Sequence, residues 1–520
     1  MNASLSDTLI ASFDIGSSAV KAVLVSRDGQ MQLAHTVSYL NPVLDNEQHP
    51  DDWWLAFCKV LQLWWAQGVL PSNIEALTFS GQMQCVIALD ASGRVLCPAW
   101  LHTDARAAHA AACIAVKIGT DEIHRVTRNP FNATSVLPKL LHLSQCDAAV
   151  WAQTETVLVG AKDFVIHRLT GCAVTDPTTA ATTGMFDIER GTWAHQWLDA
   201  LGLKGVLPGL LNADAPVGVV SVQAAAITGL PAGCSVLCGM GDAAATTLGA
   251  GVSDASQCYA YLGTSGWVAR VSDNTTDRLN APGTPLFVLP FLPPTSNGLA
   301  RRILIGPISN AGAVHRFALG WLDASADLTE AQRYGLFEQA VAEAPFDPNL
   351  MFLPYLNSER LPVNSGAGQG AVIGLSTHTT RGQLMRAALE GVSLSLRWAL
   401  DLIEDNAAAS STAARELIVV GGATRSAQWM QILANSFDVP LHIPPDADLL
   451  PCLGAAATAA VALGWCTEPE SFVRQQMNLT SNVVAKTVHP EASSAAQMQA
   501  KSPRWRALQA AVSTLSNLPV

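Results

Sequence analysis

The stretch FDIGSSAVKAVLV, residues 13–25, has apolar segments on both sides of a Gly-Ser-Ser turn, a pattern that predicts two short antiparallel strands. The chain repeats this pattern as YAYLGTSGWVARV at residues 259–271. A duplicated strand-turn-strand unit indicates two related halves. We place their boundary near residues 250–257, where AGVSDASQ is small and polar. The length of 520 residues also exceeds what one hydrophobic core normally serves, which favours at least two domains.

Both turns consist of small residues that let backbone N–H groups and hydroxyls approach an anion. The first turn offers Gly16, Ser17 and Ser18, and the second offers Gly263, Thr264, Ser265 and Gly266. One such turn alone is typical of an ordinary hairpin. Because the turn is duplicated, we expect the two copies to grip phosphates from opposite sides.

Two charged residues flank the first turn. Asp14 precedes it, and a bare carboxylate beside a polyphosphate would repel it unless a divalent cation lay between them. The sequence therefore predicts Mg²⁺ at Asp14. Lys21 offers a positive charge to the phosphates, although a solvated strand face is the simpler interpretation of this lysine.

A lone carboxylate, Asp242, stands in the small-residue run GMGDAAATTLG at residues 239–249, directly after the strand-like CSVLC. Since desolvating an unpaired carboxylate is costly, such a charge usually has a partner, a cap to make or a reaction to serve. The run fits a dinucleotide fingerprint, a helix start capped by Asp242, or a site where Asp242 does chemistry. The fingerprint also requires an acidic residue about twenty positions after its first glycine, where QCYAYLGTS has none.

Composition excludes several classes of protein. The net charge of −12 and the lack of basic runs argue against a nucleic-acid surface. Eleven cysteines, with no C-x-x-C pair, predict a reduced cytoplasmic chain rather than a disulfide framework or zinc site. The amino terminus has no signal-peptide pattern, and the alanine-rich run from Leu453 is shorter than a membrane span. We therefore expect no membrane partner and a helix packed inside a globule at Leu453.

Three further segments have readable patterns. DDWWLAFCKVLQLWWAQG places its tryptophans at helical spacing, which is typical of core packing. VLVGAKDFVIHRLTG predicts a helix that Asp163 caps and Gly171 ends. ELIVVGGATRSAQWMQILANSF predicts a strand, a double-glycine turn and a helix, an arrangement suited to a nucleotide.

Eight motifs occur along the chain in one order: FDIGSSAVK, SGQMQ, KDFVIHRLTG, GMGDAAATTLGAG, YLGTSG, FLPYLNSERLP, GAVIGLSTHTTRGQLMRAALEGVSLSLR and VVGGATRS. With this ordered set, the sequence resembles the FGGY carbohydrate kinases of the actin/hexokinase/Hsp70 superfamily, and most of all the xylulokinases. The resemblance covers nearly the whole chain. It implies an α/β fold of two actin/hexokinase/Hsp70-like (ribonuclease H-like) domains with a central cleft.

The resemblance also implies a domain organisation. Residues 8–250 would form the domain that mainly binds the sugar and carries the first phosphate turn and the general base. Residues 251–475 would form the domain that mainly binds ATP, and residues 476–520 would be a peripheral tail. The oligomeric state stays open, with a homodimer among the options.

The activity implied is transfer of the γ-phosphate of ATP, with Mg²⁺, to a sugar hydroxyl. Asp242 would be the general base that accepts the hydroxyl proton. The ATP-binding residues would be the two turns, Lys21, and the adenosine segment Gly421, Gly422, Ala423, Arg425 and Ser426. Ala423 departs from the usual third glycine of that segment.

By the same resemblance, residues near the sugar would be Gln82, Met83, Gln84, Asp104, Asp242 and Ala243. This chain has Gln84 where xylulokinases usually have histidine, Ala243 where they have asparagine, and His102-Thr103 where they have Trp-Asn. Each change touches the expected sugar pocket, and polar contacts decide which hydroxyls are accepted. D-xylulose is the first candidate, with another ketose, a polyol or a sugar acid as the alternative. A non-catalytic ATP-binding regulatory protein is the more distant one.

Overall fold

A computed structural model describes residues 8–41, 44, 46–254, 257–272, 285–292, 301–322, 328–357, 359, 370–406, 416–480 and 486–516. The described chain is a mixed α/β protein whose two lobes are each built around a seven-stranded sheet. Each lobe begins with one of the two strand-turn-strand repeats.

The strands of the first half are β1 (Leu9–Ile15), β2 (Ala19–Ser26), β3 (Met31–Ser38), β4 (Glu47–Gln48), β5 (Ile74–Gly81), β6 (Met83–Leu89), β7 (Ala99–Trp100), β8 (Thr156–Gly160), β9 (Val174–Thr175), β10 (Phe186–Asp187), β11 (Thr192–Trp193), β12 (Gly209–Leu210), β13 (Pro216–Val219), β14 (Ser235–Leu237) and β15 (Met240–Gly241). Its helices are α1 (Pro50–Ala66), α2 (Ala108–Ile118), α3 (Thr120–Thr127), α4 (Val136–Cys146), α5 (Ala148–Gln153), α6 (Ala161–Thr170), α7 (Pro177–Ala181), α8 (His195–Leu201), α9 (Val222–Thr228) and α10 (Asp242–Gly249).

The strands of the second half are β16 (Cys258–Leu262), β17 (Gly266–Ser272), β18 (Phe287–Pro290), β19 (Arg302–Ile308), β20 (Met351–Leu353), β21 (Ala371–Ile373), β22 (Leu417–Val420), β23 (Leu441–Ile443) and β24 (Lys486–Val488). Its helices are α11 (Gly312–Leu319), α12 (Glu330–Glu343), α13 (Arg381–Asn406), α14 (Ala427–Phe437), α15 (Leu450–Ala462), α16 (Pro469–Thr480) and α17 (Ala492–Ser516). Short 3-10 helices cover Pro71–Asn73 and Gly422–Arg425.

The two large sheets have the same strand arrangement at their centres. The first has the order β13-β14-β5-β1-β2-β3, with β15 beside β5, and the second has the order β18-β19-β17-β16-β22-β23-β24. In the first sheet, β1 pairs antiparallel with β2 and parallel with β5. In the second, β16 pairs antiparallel with β17 and parallel with β22. The duplicated pattern in the sequence therefore corresponds to a duplicated strand arrangement.

The glycine turn after β5 does not close a hairpin. The next strand, β6, leaves the first sheet and joins the smaller sheet β4-β7-β6-β8. The reason lies at Gln82, whose N–H donates to the Ile15 carbonyl and whose carbonyl accepts from the N–H of Ala161. These bonds hold the chain between β1 and α6, so β6 cannot fold back onto β5.

Helix α1 buries the predicted aromatic stripe against the first sheet. Trp53, Phe57 and Trp64 are fully buried, and the Phe13 ring on β1 lies 4.7 Å from that of Phe57 and 5.3 Å from that of Trp64. Burying such rings contributes roughly 1.5–3 kcal/mol each. The stripe is therefore core packing, as expected.

Helix α6 ends at Gly171 as predicted, with φ +79° at that glycine, but Asp163 does not cap it. The N-cap is Gly160, and Asp163 lies inside the first turn, fully buried beside Lys162. A carboxylate in that position faces the protein interior rather than the free N–H groups of the helix end.

The lobes are joined where α10 and α15 cross. A Cβ at Gly249 would overlap the Leu450 carbonyl oxygen, and a Cβ at Gly454 would overlap that of Ala245, so the two backbones are in direct contact. Helix α15, which belongs to the second half of the sequence, packs against β1 and β5 of the first sheet. Helix α10 meets the second sheet, where Tyr259 on β16 donates from its hydroxyl to the Ala243 carbonyl at 3.1 Å. Each half of the chain thus contributes one helix to the crossing, and α15 also packs on the other half's sheet.

Helix α15 contains the alanine-rich run and is buried along most of its length, as the sequence predicts. No helix within the described ranges is both long and apolar enough to cross a bilayer.

We predict that Gly454→Ala destabilises the protein by about 2 kcal/mol or more, because the new methyl group would force the two helices apart. The measurement is the free energy of unfolding in urea. Gly335→Ala is the matched control, since Gly335 also lies within a helix but has no atom near its missing Cβ. Alanine there would stabilise the helix by up to about 1 kcal/mol. Equal unfolding curves for the two variants would contradict the prediction.

Candidate active site

A cavity of about 110 Å³ lies between the lobes. From the first lobe it is lined by Asp14, Gly16, Ser17, Gln82, Met83, Gln84, His102, Thr182, Asp242, Ala243 and Thr246. From the second lobe it is lined by Tyr261, Thr264, Ser265, Trp267, Phe287, Leu289, Ile305, Pro307 and Pro451. Residues of both predicted phosphate turns, the predicted base and most of the predicted sugar residues therefore share one cavity.

The first turn is fixed by three hydrogen bonds at one glycine. The N–H of Gly16 donates to the Ala19 carbonyl at 3.1 Å, which closes the turn. The Gly16 carbonyl accepts from the Tyr39 hydroxyl at 2.7 Å and from the Gln82 side-chain amide at 3.3 Å. Ser17 lines the cavity, whereas Ser18 is exposed and does not.

The second turn is held against the start of α11. The Gly263 carbonyl accepts from the N–H of Gly312 at 2.9 Å, and the Thr264 carbonyl accepts from the N–H of Ala313 at 3.0 Å. A Cβ at Gly263 would lie 2.5 Å from the Tyr261 hydroxyl, so a larger residue there would have to displace the Tyr261 ring. Thr264 and Ser265 line the cavity, and Gly263 and Gly266 support the turn from outside it.

Asp14 lies at the end of β1 with 8% of its surface exposed. Burial raises the pKa of its carboxyl group, and both the Lys21 charge and a hydrogen bond from Ser80 at 2.9 Å oppose that rise. The described residues contain no cluster of three or more acidic, histidine or cysteine ligands. The Asp14 carboxylate at the cavity fits Mg²⁺, which is typically held by one or two carboxylates together with water and substrate phosphates.

Lys21 bridges the lobes instead of lying on a solvated strand face. Its ammonium donates to the Asp448 carbonyl at 2.9 Å, and the Asp448 carboxylate pairs with Arg425 at 2.8 Å. Arg425 belongs to the predicted adenosine segment. Asp448 thus connects the strand after the first turn to that segment.

The adenosine segment lies beside the second phosphate turn but outside the cavity. Gly421 has φ +99°, and a Cβ there would lie 2.6 Å from the Leu262 carbonyl oxygen, next to Gly263. Gly422, Ala423 and Arg425 form a 3-10 turn, and Ser426 caps α14 through a bond from the N–H of Trp429 at 3.2 Å. Glu338 on α12 binds Ser426 as well.

Asp242 is the first residue of α10, and its carboxylate faces the cavity. The N-cap of α10 is Gly241, so the prediction of Asp242 as the cap is wrong. An acidic side chain in the first helical turn is favoured by the helix dipole. The helix dipole therefore stabilises the Asp242 carboxylate even though Asp242 does not cap the helix.

Gln84 and its neighbours, which the sequence predicts near the sugar, line the first-lobe side of the cavity. Gln84 has φ +65°, an uncommon conformation for a residue other than glycine, and its side-chain amide donates to Thr134 at 3.3 Å. The buried Lys139 donates to the carbonyls of Gln84 at 3.4 Å and Leu101 at 2.6 Å, which ties together the two backbone segments that carry Gln84 and His102. Burial lowers the pKa of Lys139 to about 8.

Asp104 does not line the cavity. It is buried, and Arg106 contacts both of its oxygens: Nε lies 3.0 Å from Oδ1 and 2.8 Å from Oδ2, and Nη2 lies 2.7 Å from Oδ2. The same guanidinium also pairs with Glu47 at 2.6 Å. Asp104 therefore lies outside the cavity, although the sequence predicts it near the sugar.

The apolar wall contributed by the second lobe is absent from the predicted site. Its members lie on β16–β19 or beside them: Tyr261, Trp267, Phe287, Leu289, Ile305 and Pro307. Tyr261 and Trp267 flank the second turn, and their rings stack with centroids 4.0 Å apart. The sequence could have indicated Tyr261 and Trp267 as site residues, because both lie close to the glycine turn. Alternation along β18 and β19 indicates which residues share a face, but not which face meets the other lobe.

Two family models match the chain: "FGGY family of carbohydrate kinases, N-terminal domain" over residues 9–249, and the corresponding "C-terminal domain" over residues 258–463. The chain belongs to the FGGY family of carbohydrate kinases. It is therefore a phosphotransferase with an alcohol group as acceptor, and the dinucleotide interpretation of residues 239–249 is wrong.

Among its relatives, the xylulose kinase of Klebsiella pneumoniae is 31% identical over 86% of this chain and 89% of that protein. A ligand-bound xylulose kinase structure from Lactobacillus acidophilus is 25% identical, with a TM-score of 0.81 and coverage of 97% of this chain and 98% of that one. A gluconate kinase structure from Lactobacillus acidophilus is similar to the same extent, with the same identity, TM-score and coverage. The predicted two-domain actin/hexokinase-like fold is thereby confirmed.

We predict that Asp14→Asn stabilises the ligand-free protein at neutral pH while it lowers kinase activity at least 100-fold. The pKa of Asp14 is raised in the folded state, so the folded protein binds this proton more tightly than the unfolded chain and loses stability as pH rises through the folded pKa. Asparagine removes that penalty and keeps an acceptor for Ser80. The melting temperature, measured between pH 4 and pH 8, would show an advantage of the variant that grows with pH. A difference in melting temperature that stays the same from pH 4 to pH 8 would contradict the raised pKa of Asp14.

Proposed function

We propose that this kinase transfers the γ-phosphoryl group of ATP to a hydroxyl of a neutral ketose, with D-xylulose as the first candidate, and that Asp242 is its general base. The observation that carries the proposal is that Asp242 faces the same interlobe cavity as the two glycine turns. Acceptor, base and terminal phosphate can meet only where these three features converge.

The phosphate-binding role rests mainly on the backbone. Among the described residues that line the cavity there is no lysine or arginine. The N–H and hydroxyl groups of Ser17, Thr264 and Ser265 are therefore the donors that can meet the terminal phosphates. Asp14 would hold Mg²⁺ there, which when bound neutralises phosphate charge.

Asp242 would act on the acceptor. As the sugar oxygen attacks the γ-phosphorus, the hydroxyl proton passes to an Asp242 carboxylate oxygen and the bond to ADP breaks. Most of the acceleration in such a transfer comes from in-line positioning and charge neutralisation. Asp242 therefore also orients the acceptor hydroxyl.

Catalysis by this site requires the lobes to move. The cavity of about 110 Å³ is smaller than the roughly 300 Å³ at the low end of ligand pockets. A sugar and a triphosphate would enter only after the lobes separate, and closure would then exclude water as a competing acceptor. The apolar wall with Phe287, Leu289 and Ile305 would contribute to that exclusion.

A neutral sugar is favoured over a sugar acid by the charge of the site. The relatives' names support xylulose, and one structural relative is a gluconate kinase. A carboxylate substrate would need a cationic partner, yet the described lining residues offer only His102 in that role. A cytoplasmic location is supported by the eleven cysteines, none of which forms a disulfide.

We predict that Asp242→Asn loses at least 1,000-fold in kcat and keeps its affinity for ATP within about twofold. The amide is nearly the same size as the carboxylate but cannot accept the proton. The readouts are ADP release and calorimetric binding of a non-hydrolysable ATP analogue. Asp121→Asn is the matched control, since it alters an exposed first-turn aspartate of α3. Turnover of Asp242→Asn within tenfold of the parent enzyme would contradict the base assignment.

We also predict that in a panel of ketoses, aldoses, polyols and sugar acids, a neutral ketose has the highest kcat/KM, at least tenfold above any sugar acid. Ala243→Asn would lower the KM for D-xylulose because it adds a hydrogen-bonding side chain in the cavity. Ala243→Val adds size without polarity and would raise that KM. A sugar acid as the best substrate would contradict the ketose proposal, and ADP release that no sugar stimulates would favour a regulatory ATP-binding protein.

A further inference from the structure

Three charged side chains are buried together behind the wall of the cavity. Lys162, Asp163 and Asp176 are each exposed by 1% or less. The Lys162 ammonium lies 2.8 Å from an Asp163 oxygen and 3.1 Å from an Asp176 oxygen. Two carboxylates thus share one buried cation, and the nearby negative charges raise the pKa of Lys162. Such a group is expensive to bury and adds little stability over an apolar replacement, so its retention calls for another reason.

Asp176 makes more hydrogen bonds than its position at a helix end explains. One oxygen accepts from the N–H groups of Thr178 at 3.0 Å and Thr179 at 3.2 Å, as expected for the N-cap of α7. The other oxygen accepts from the Thr179 hydroxyl at 2.6 Å. The first oxygen also accepts from the N–H of Gly241, at 3.3 Å and 65 residues further along the chain.

Gly241 is the residue immediately before Asp242. On the approach to Asp242, Gly239 has φ +64° and a Cβ at Gly241 would overlap the Met83 side chain, while the Met240 side chain between them is buried in the core. The Gly241 peptide pairs with β5, and its N–H donates to Asp176. Since the Gly241 peptide sets where α10 begins, it also sets where the Asp242 carboxylate points.

We propose that Asp176 is a positioning residue for phosphoryl transfer: its carboxylate, paired with Lys162, holds the Gly241 peptide and thereby aims Asp242 at the acceptor hydroxyl. Asp176 touches neither substrate directly and acts only through Asp242. The proposal rests on the proposed role of Asp242 as the base. A carboxylate suits this task because one ionised oxygen can accept from several N–H groups at once, here those of Thr178, Thr179 and Gly241.

The test compares three variants in kinetics and in hydrogen–deuterium exchange of peptides that resolve residue 241. Asp176→Asn removes the charge, and Asp176→Glu keeps the charge pair with Lys162 but shifts the oxygens by one methylene. Asp187→Asn is the matched control, since Asp187 also accepts from two backbone N–H groups, those of Glu189 and Arg190, in a turn that does not touch α10.

We expect both Asp176 variants to lose at least tenfold in kcat per folded molecule, with the KM values for ATP and the sugar within threefold of the parent. Exchange at residues 239–248 would accelerate in both variants and stay unchanged in Asp187→Asn. A purely structural cap would alter exchange only around residues 174–183 and leave kcat unchanged, which would overturn the proposal.

The unmodified enzyme provides a measurement that does not depend on whether a variant folds. The Gly241 amide would exchange slowly, and exchange at the rate of an exposed loop would overturn the proposal by itself. If Asp242→Asn is inactive and the Asp176 variants behave as the parent, only the positioning role fails. If Asp242→Asn is active, the proposed function fails whatever the Asp176 variants do.

Discussion

The backbone contact between α10 and α15 is the constraint on which the rest of the structure depends. Gly249 and Gly454 let the two helices touch without side chains between them, α15 packs on the first sheet, and α10 accepts a hydrogen bond from Tyr259 of the second sheet. The contact fixes the base of the interlobe space, and Asp242 stands at the end of α10 that faces this space. A separation of the lobes, which the proposed function requires, would pivot around this crossing.

Under the proposed function, the site would bind highly charged groups with few charges of its own. Its described lining residues contain the carboxylates Asp14 and Asp242 but no lysine or arginine, and its two turns present backbone N–H groups from opposite lobes. The cations near the site are engaged elsewhere: Lys21 with the Asp448 carbonyl, Lys139 with two backbone carbonyls, and Lys162 with buried carboxylates. The buried charges therefore fix the backbone around the cavity. Under the proposed function, groups that bind together with the substrate would neutralise the phosphate charge.

Local sequence patterns predicted the parts of the fold that local chemistry controls. The two glycine turns, the aromatic face of α1 and the alanine-rich α15 follow from spacing and residue size. Predictions failed where a distant partner decided the outcome. Lys21, expected on a solvated strand face, donates instead to the Asp448 carbonyl in the other half of the chain. The Asp163 prediction failed for a local reason, because this carboxylate pairs with the neighbouring Lys162 inside the first turn of α6 instead of capping the helix.

By itself, the sequence determined that the chain has two related halves, each with a phosphate-type turn, and that one isolated carboxylate follows the strand at 235–237. These features are encoded by neighbouring residues, so they can be read from the chain. The tertiary structure alone decided that Phe287, Leu289, Ile305 and Pro307 face the cavity and that Asp176 binds the Gly241 peptide. Such contacts join segments far apart in the chain, and their geometry depends on how the two helices cross rather than on any local pattern.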